Sequence, residues 1–237
     1  MEPDASAHDA VATPRSEPIA LLGGTFDPVH YGHLRFADEA RAALGLSEVR
    51  LVPSAIPPHR SAPDASAADR AAMLELAVRG FPGLRVDCCE LRRGGRSYTV
   101  DTLAALRDAQ PQTPLILLVG ADAFRGLAGW HRWRRLFELA HVVVAPRPGS
   151  FPGEGLPPEL AREWDARIVT DPAVLRGSAA GSIYVQPISA QPIAATEIRE
   201  ALRSLPHADP SLARLLPPAV LTYIESKRLY RSPTNAN

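Results

Sequence analysis

An α/β fold with a doubly wound parallel sheet and a small C-terminal helical portion is the architecture this sequence predicts. Three observations predict it. Short apolar runs alternate with amphipathic stretches, the strand–helix rhythm of a parallel sheet covered on both faces. The first run, Ile19 to Leu22, ends in Gly23-Gly24, as a buried strand feeding a tight turn does. The chain is 237 residues long, enough for one large domain or two small ones with a buried core and no covalent staples.

Taken in order, the strand from Ile19 leads into a helical stretch, His33 to Leu44, with apolar residues at Leu34, Ala37, Ala40 and Leu44. Gly45 stops it. Val49 to Pro53 is a second short strand, and the Pro-rich segment PSAIPPHRSAPDAS is a loop. Ala67 to Arg79 reads as an amphipathic helix and Leu84 to Cys88 as a third strand. A helix at Thr99–Ala109, a strongly apolar strand at Leu115–Val119, a helix at Trp133–Ala140 and a strand at His141–Ala145 continue the pattern. Residues 149–182 are rich in Gly and Pro and predict a surface excursion with room for one short helix. Ile183 to Pro187 reads as the last strand, and Thr196 to Leu229 as two or three short helices separated by prolines. The folded domain is therefore expected over residues 19–231, with its helical part at about 194–231. Residues 1–18 and 232–237 are expected to be disordered extensions.

Composition removes several functions. Hydrophobic residues make up 46% and charged residues 22%, ordinary for a soluble globular chain. Lys+Arg and Asp+Glu are both 26, so the formal net charge is zero, against the basic excess of a dedicated nucleic-acid binder. Lys227 is the only lysine and has no glycine near it, which excludes a Walker A phosphate loop. The 2 cysteines, Cys88 and Cys89, are adjacent and make no disulfide framework; they read as small buried strand residues of a reducing, cytoplasmic setting. No apolar run approaches the length of a membrane span, and residues 1–18 lack the apolar stretch of a signal peptide.

Chemistry concentrates in Gly23-Gly24-Thr25-Phe26-Asp27-Pro28-Val29-His30-Tyr31-Gly32-His33. The segment joins the carboxyl end of a buried strand to a helix start, where open α/β sheets bind ligands. Gly23 and Gly24 let backbone approach a ligand, and the helix start offers free N–H groups and positive dipole to an anion. Thr25 adds a hydroxyl. His30 and His33, three apart, point to one side of the first turn, and Gly32 leaves room for a flat base or ribose. Such convergence fits a polyphosphate. Two histidines at this spacing could also hold a metal, but no third ligand stands nearby, so no metal-ligating residues are assigned.

The string GGTFDPVHYGH resembles the H-x-G-H motif of the nucleotidylyltransferase superfamily. More closely, the chain resembles the bacterial nicotinate-nucleotide adenylyltransferases, whose fold is Rossmann-like, from Ile19 to Arg231. PPHR at 57–60, MLELA at 73–77, SYTVDTL at 97–103, VGADAF at 119–124, GWHRW at 129–133, RPG at 147–149, IAATEIRE at 193–200 and LTYIESKRLYR near the end agree in order and spacing. The resemblance implies transfer of AMP from ATP to the phosphate of nicotinate mononucleotide, giving nicotinate adenine dinucleotide and pyrophosphate, with Mg²⁺ accompanying ATP. The attacking phosphate is already an anion at neutral pH, with a second pKa near ~6, so no side-chain nucleophile is needed.

By this resemblance His33 contacts the α-phosphate in the transition state. His30 and Thr25 bind ATP phosphates with Gly23, Gly24, Phe26 and Gly32, and Arg60 is a second phosphate clamp. Thr196 caps a helix facing the phosphates, and Arg199 reaches the outer ones; Ala194 stands where the family usually has Ser. The nicotinate nucleotide falls to the other half-site. Asp122, past Gly120 at a strand's carboxyl end, accepts from ribose or caps the following segment. Trp130 stacks on the pyridine ring, while Trp133 at helical spacing is core. The backbone N–H groups of Thr99 and His131 bind the nicotinate carboxylate, and Arg147 touches substrate.

Competing readings are a nicotinamide-preferring enzyme, a pantetheine-phosphate adenylyltransferase or cytidylyltransferase of the same superfamily, and a nucleotide-binding regulator without catalysis. The SYT, Trp130 and C-terminal segments argue against the middle pair, and intact His30, His33, Arg60 and Arg199 against the last. A dehydrogenase lacks support because no G-x-G-x-x-G follows the first strand. The partners expected are ATP and nicotinate mononucleotide, with no nucleic acid and no membrane; homo-oligomerisation stays open.

Overall fold

A computed structural model describes residues 17–58, 62–146, 151–189, 193–204 and 209–231. The expected terminal extensions therefore lie almost wholly outside the described residues, as do Arg60 and Arg147. The strands are β1 (Ile19–Gly24), β2 (Val49–Pro53), β3 (Leu84–Val86), β4 (Leu115–Gly120), β5 (His141–Ala145), β6 (Ile168–Val169) and β7 (Ile183–Val185). The helices are α1 (Tyr31–Ala43), α2 (Ala67–Val78), α3 (Cys89–Arg93), α4 (Thr99–Ala109), α5 (Ala121–Arg125), α6 (Arg135–Leu139), α7 (Pro158–Arg167), α8 (Val174–Gly177), α9 (Ala195–Ser204), α10 (Pro210–Leu215) and α11 (Pro218–Lys227). All strand pairs are parallel, in the order β3-β2-β1-β4-β5-β7-β6.

The unbroken apolar strands follow from burial on both faces. Within β1, Ala20 and Leu22 join one core cluster while Ile19 and Leu21 join the other; within β4, Ile116 and Leu118 oppose Leu115, Leu117 and Val119 in the same way. The first face is covered by α1 and α2 through Leu34, Ala37, Met73 and Leu74, and by α9–α11 through Ile198, Leu202, Leu212, Val220 and Ile224. The second is covered by α4 to α7 through Val100, Leu103, Phe124, Phe137 and Trp164.

The winding reverses between β1 and β4, the switch point where such sheets open a crevice at the strands' carboxyl ends. Leu21 stands beside Leu117, so three residues further along both strands Gly24 and Gly120 flank that crevice.

Several elements differ from the sequence expectation. α1 starts two residues earlier, with His30 in extended backbone at its N-cap position and no side-chain cap bond. β3 ends at Val86, and neither cysteine lies in it: Asp87 accepts from the Cys89 N–H and turns the chain into α3. Both thiols are free and half-buried, and burial raises both above the usual thiol range. The helix expected at Trp133–Ala140 is regular only over α6. The Gly/Pro-rich excursion contains a ten-residue helix, α7, started by Pro158, the shorter α8, and the edge strand β6. β7 stops at Val185 and sits inside β6 in the sheet. Trp133 is core, as expected, at 7% exposure.

Candidate active site

The turn from β1 into α1 is built inward from its glycines. A Cβ on Gly24 would lie 3.0 Å from the Phe26 ring, so a side chain there would press on that ring. Phe26 has φ 53, is buried, and meets His33 edge-on with ring centroids 5.0 Å apart. His33 stacks on His30 at 3.7 Å between centroids. A Cβ on Gly32 would lie 2.9 Å from His30 Nδ1 and 3.5 Å from Ile193. The space a Cβ would take on Gly32 is therefore filled by the His30 ring. Gly23 is exposed, with nothing within 4 Å of a Cβ placed there, so its backbone is approachable.

His30 and His33 do share one side of the first turn, as their spacing requires. Their roles separate by depth. His33 and Thr25 are half-buried, whereas His30 is 4% exposed and Phe26 2%. Burial lowers the His30 pKa to about 4, so its imidazole is neutral at pH 7. No side chain caps α1, and no acidic residue stands in its first turn. Its first N–H groups and positive dipole end are left to an anion. Buried polar atoms without a protein hydrogen-bond partner, His30 Nδ1, Ser54 Oγ and Arg70 Nε among them, gather around this turn.

Three residues carry the turn in ways the sequence does not show: Asp27 and Tyr230, which lie in the quoted segments with no role assigned, and Arg70, which lies outside them. Asp27, 5% exposed, receives the N–H groups of Asp64 and Ala65 and the Tyr230 hydroxyl. Arg70, on α2 and 1% exposed, donates to the carbonyls of Thr25 (2.6 Å), Ser54 (2.7 Å) and Ala55 (3.2 Å), tying the ends of β1 and β2 together. In sequence it looks like any solvated arginine of an amphipathic helix, and Tyr230 like a chain-end aromatic.

Arg199 comes to the turn from α9: its Nη1 donates to the Asp27 carbonyl at 2.8 Å, and its Nη2 lies 3.4 Å from the Thr196 hydroxyl. Thr196 does not cap α9. The first intrahelical bond, from the Ile198 N–H, is accepted by Ala194, which leaves Thr196 inside the first turn.

Across the crevice, Gly120 caps α5 without a side-chain bond. Asp122 lies in α5, exposed, 3.5 Å from Arg125 Nη1; it is not the cap. Trp130 is half-buried at the edge of the second core cluster. The Tyr98 ring, one residue before Thr99 at the start of α4, lies 4.4 Å from the His131 ring. The Ser97 hydroxyl accepts from the Ala55 N–H, and the Ser97 N–H donates to Ile56, linking this half to the loop after β2. Among the described residues no three His, Cys, Asp or Glu side chains converge to hold a metal ion.

A parallel sheet with an uncapped, glycine-fed helix start at its switch point and two stacked histidines there defines a nucleotide-binding α/β protein. The family model described as cytidylyltransferase-like matches residues 21–201. A protein of Dechloromonas aromatica named as a probable nicotinate-nucleotide adenylyltransferase is 48% identical over 220 residues, 92% of this chain and 99% of that protein. One of the same name from Laribacter hongkongensis is 50% identical over 219 residues, 92% and 96% of the two chains. Among solved structures, Plasmodium falciparum nicotinic acid mononucleotide adenylyltransferase complexed with NaAD superposes with a TM-score of 0.68 at 17% identity, over 91% of this chain and 98% of that one. The chain thus belongs to the cytidylyltransferase-like family and, within it, to the nicotinate-nucleotide adenylyltransferases.

Proposed function

We propose that this protein transfers the adenylyl group of ATP to the phosphate of nicotinate mononucleotide. An oxygen of the mononucleotide phosphate bonds to the α-phosphorus of ATP. The bond from that phosphorus to its bridging oxygen breaks, and pyrophosphate leaves with the electron pair. Both reactants are anions, so the protein's task is to bring them into line and offset charge, not to supply a nucleophile. The observation that carries this reading is the His30–His33 stack at the open start of α1, beside the β1–β4 switch point.

His33, the more exposed ring, is placed to donate to the α-phosphate; His30, neutral behind it, and Phe26 hold it there. Gly23, Gly24, Thr25 and the first N–H groups of α1 receive the phosphate chain, with Arg199 from α9 toward its outer end. Arg60 belongs to the same group by its motif. On the other side Trp130 offers a ring face to the pyridine, and the N–H groups of Thr99 and His131 suit a carboxylate, which only accepts. Gly120, Asp122 and Arg147 complete this half by their motifs. The family's chemistry uses ATP with a divalent cation. With no converging ligand set among the described residues, Mg²⁺ is best written as part of the MgATP substrate, where it screens phosphate charge.

Turnover of nicotinate and nicotinamide mononucleotides, side by side with ATP and Mg²⁺ and read by pyrophosphate release, tests this. Nicotinate mononucleotide should react and be preferred. Absence of pyrophosphate release with both acceptors would overturn the reading.

A further inference from the structure

Asp27 lies in the nucleotide-binding turn yet faces inward. Its carboxylate accepts from the Asp64 N–H at 2.8 Å, the Ala65 N–H at 3.1 Å and the Tyr230 hydroxyl at 2.8 Å. Its own carbonyl accepts from Arg199 Nη1 at 2.8 Å. The Asp64 carboxylate lies 3.5 Å from Arg199 Nε and also pairs with Arg203. Two of the three acceptors around the Arg199 guanidinium, the third being the Thr196 hydroxyl, are thus fixed by one buried carboxylate.

A bare carboxylate here would repel a triphosphate. Three donors occupy it, and Arg70 stands close enough for the two charges to attract. All three donors come from the protein, which suits orienting a neighbour and not touching substrate. Tyr230 is 7% exposed, and burial beside Asp27 raises its hydroxyl well above the usual range, so it remains a donor.

The backbone points the same way. The non-glycine residues with positive φ among those described are Phe26, Arg132, Arg228 and Tyr230. All but Arg132 flank this contact: Phe26 precedes Asp27, and Arg228 and Tyr230 bend the chain back after α11. Such residues are strained and persist where surrounding contacts hold them.

We infer that Asp27 and Tyr230 are positioning residues for adenylyl transfer, orienting Arg199 toward the outer phosphates of ATP. This rests on the adenylyltransferase reading of the site. Tyr230→Phe removes a single hydroxyl and keeps the ring. Calorimetric titration of the full chain with a non-hydrolysable ATP analogue and with AMP separates positioning from general damage, because AMP lacks the phosphates Arg199 would meet. Tyr230→Phe should weaken the analogue about tenfold and AMP less than about twofold. In an Arg199→Ala background it should cost nothing further. Asp64→Asn, which keeps the backbone donor and removes the charge beside Arg199, should give the same split and serves if Tyr230→Phe does not fold. Equal weakening of both ligands, no weakening, or a second tenfold loss without Arg199 would each overturn the inference. Wild-type turnover of nicotinate mononucleotide is scored separately, so failure of the catalytic reading is distinguishable from failure of this one.

Discussion

At the scale of single residues, the proposed chemistry turns on His33 and on Gly32 beside it. His33 is supported on two sides, by Phe26 edge-on and by the face of His30. A donor held that firmly costs little reorganisation as charge develops on the α-phosphate. His33→Ala should fold normally and lower kcat by about 100-fold or more, near 3 kcal/mol of transition-state stabilisation. Unchanged kcat in a steady-state assay would remove His33 from the mechanism. Gly32→Ala places a methyl 2.9 Å from His30 Nδ1, against a ring already packed on His33. One ring must move, and the other moves with it. The expected cost is about 10- to 100-fold in kcat/KM with the fold retained, checked by kinetics and circular dichroism together.

At the scale of elements, α1 starts without a side-chain cap, as α3 to α8 and α11 also do, and what sets it apart is its place at the β1–β4 switch point. α2 is closed by Ser66, whose hydroxyl accepts from the Asp69 N–H at 3.1 Å. α10 is closed by Asp209 in the same manner. α1 is left open, and its open end is the proposed phosphate site. α9 presents Ala194 at the capping position, followed three residues later by Glu197. Ala194→Ser would complete a Ser-x-x-Glu capping box, worth about 1 kcal/mol, or about 2–4 °C in Tm for a domain of this size. Scanning calorimetry without ligand checks it, and an unchanged or lower Tm would show that Ser is not accepted as a cap there. In the turn after α5, Trp130 has its ring only half-buried. Trp130→Ala should raise KM for the nicotinate nucleotide several-fold, about 1 kcal/mol of stacking, with KM for ATP unchanged. A change confined to ATP in the same assay would move Trp130 to the other half-site.

Over the whole molecule, two buried imidazoles set a pH limit. His30 is held near 4 by burial. His141, fully buried at the start of β5, contacts the Ser178 carbonyl through Nε2 and accepts from the Ser182 N–H through Nδ1; burial lowers its pKa also. Both are neutral in the folded chain, while the unfolded chain protonates them near 6.5. Stability is therefore full above about pH 6.5 and falls as pH drops toward 4, by on the order of 3 kcal/mol for His30. Denaturant melts at pH 7 and pH 4.5 should show the loss, and His30→Gln should reduce it. Equal pH dependence in the variant would assign the loss to other groups.

Much of this protein was legible from its sequence because the signals are local. A strand buried on both faces needs an unbroken apolar run, so β1, β2, β4 and β5 stood out. A helix start that receives an anion needs glycine, hydroxyl and imidazole within one turn, so Gly23 to His33 could be read as a site. What the tertiary structure alone decided depends on residues far apart in the chain. Arg70 reaches three carbonyls at the ends of two strands, and Tyr230 meets Asp27 across almost the whole sequence. Neither contact leaves a periodicity or spacing to find. Depth was equally hidden: His30 and His33 look alike in sequence, and only the folded turn buries the His30 ring against Gly32 and leaves His33 half-buried.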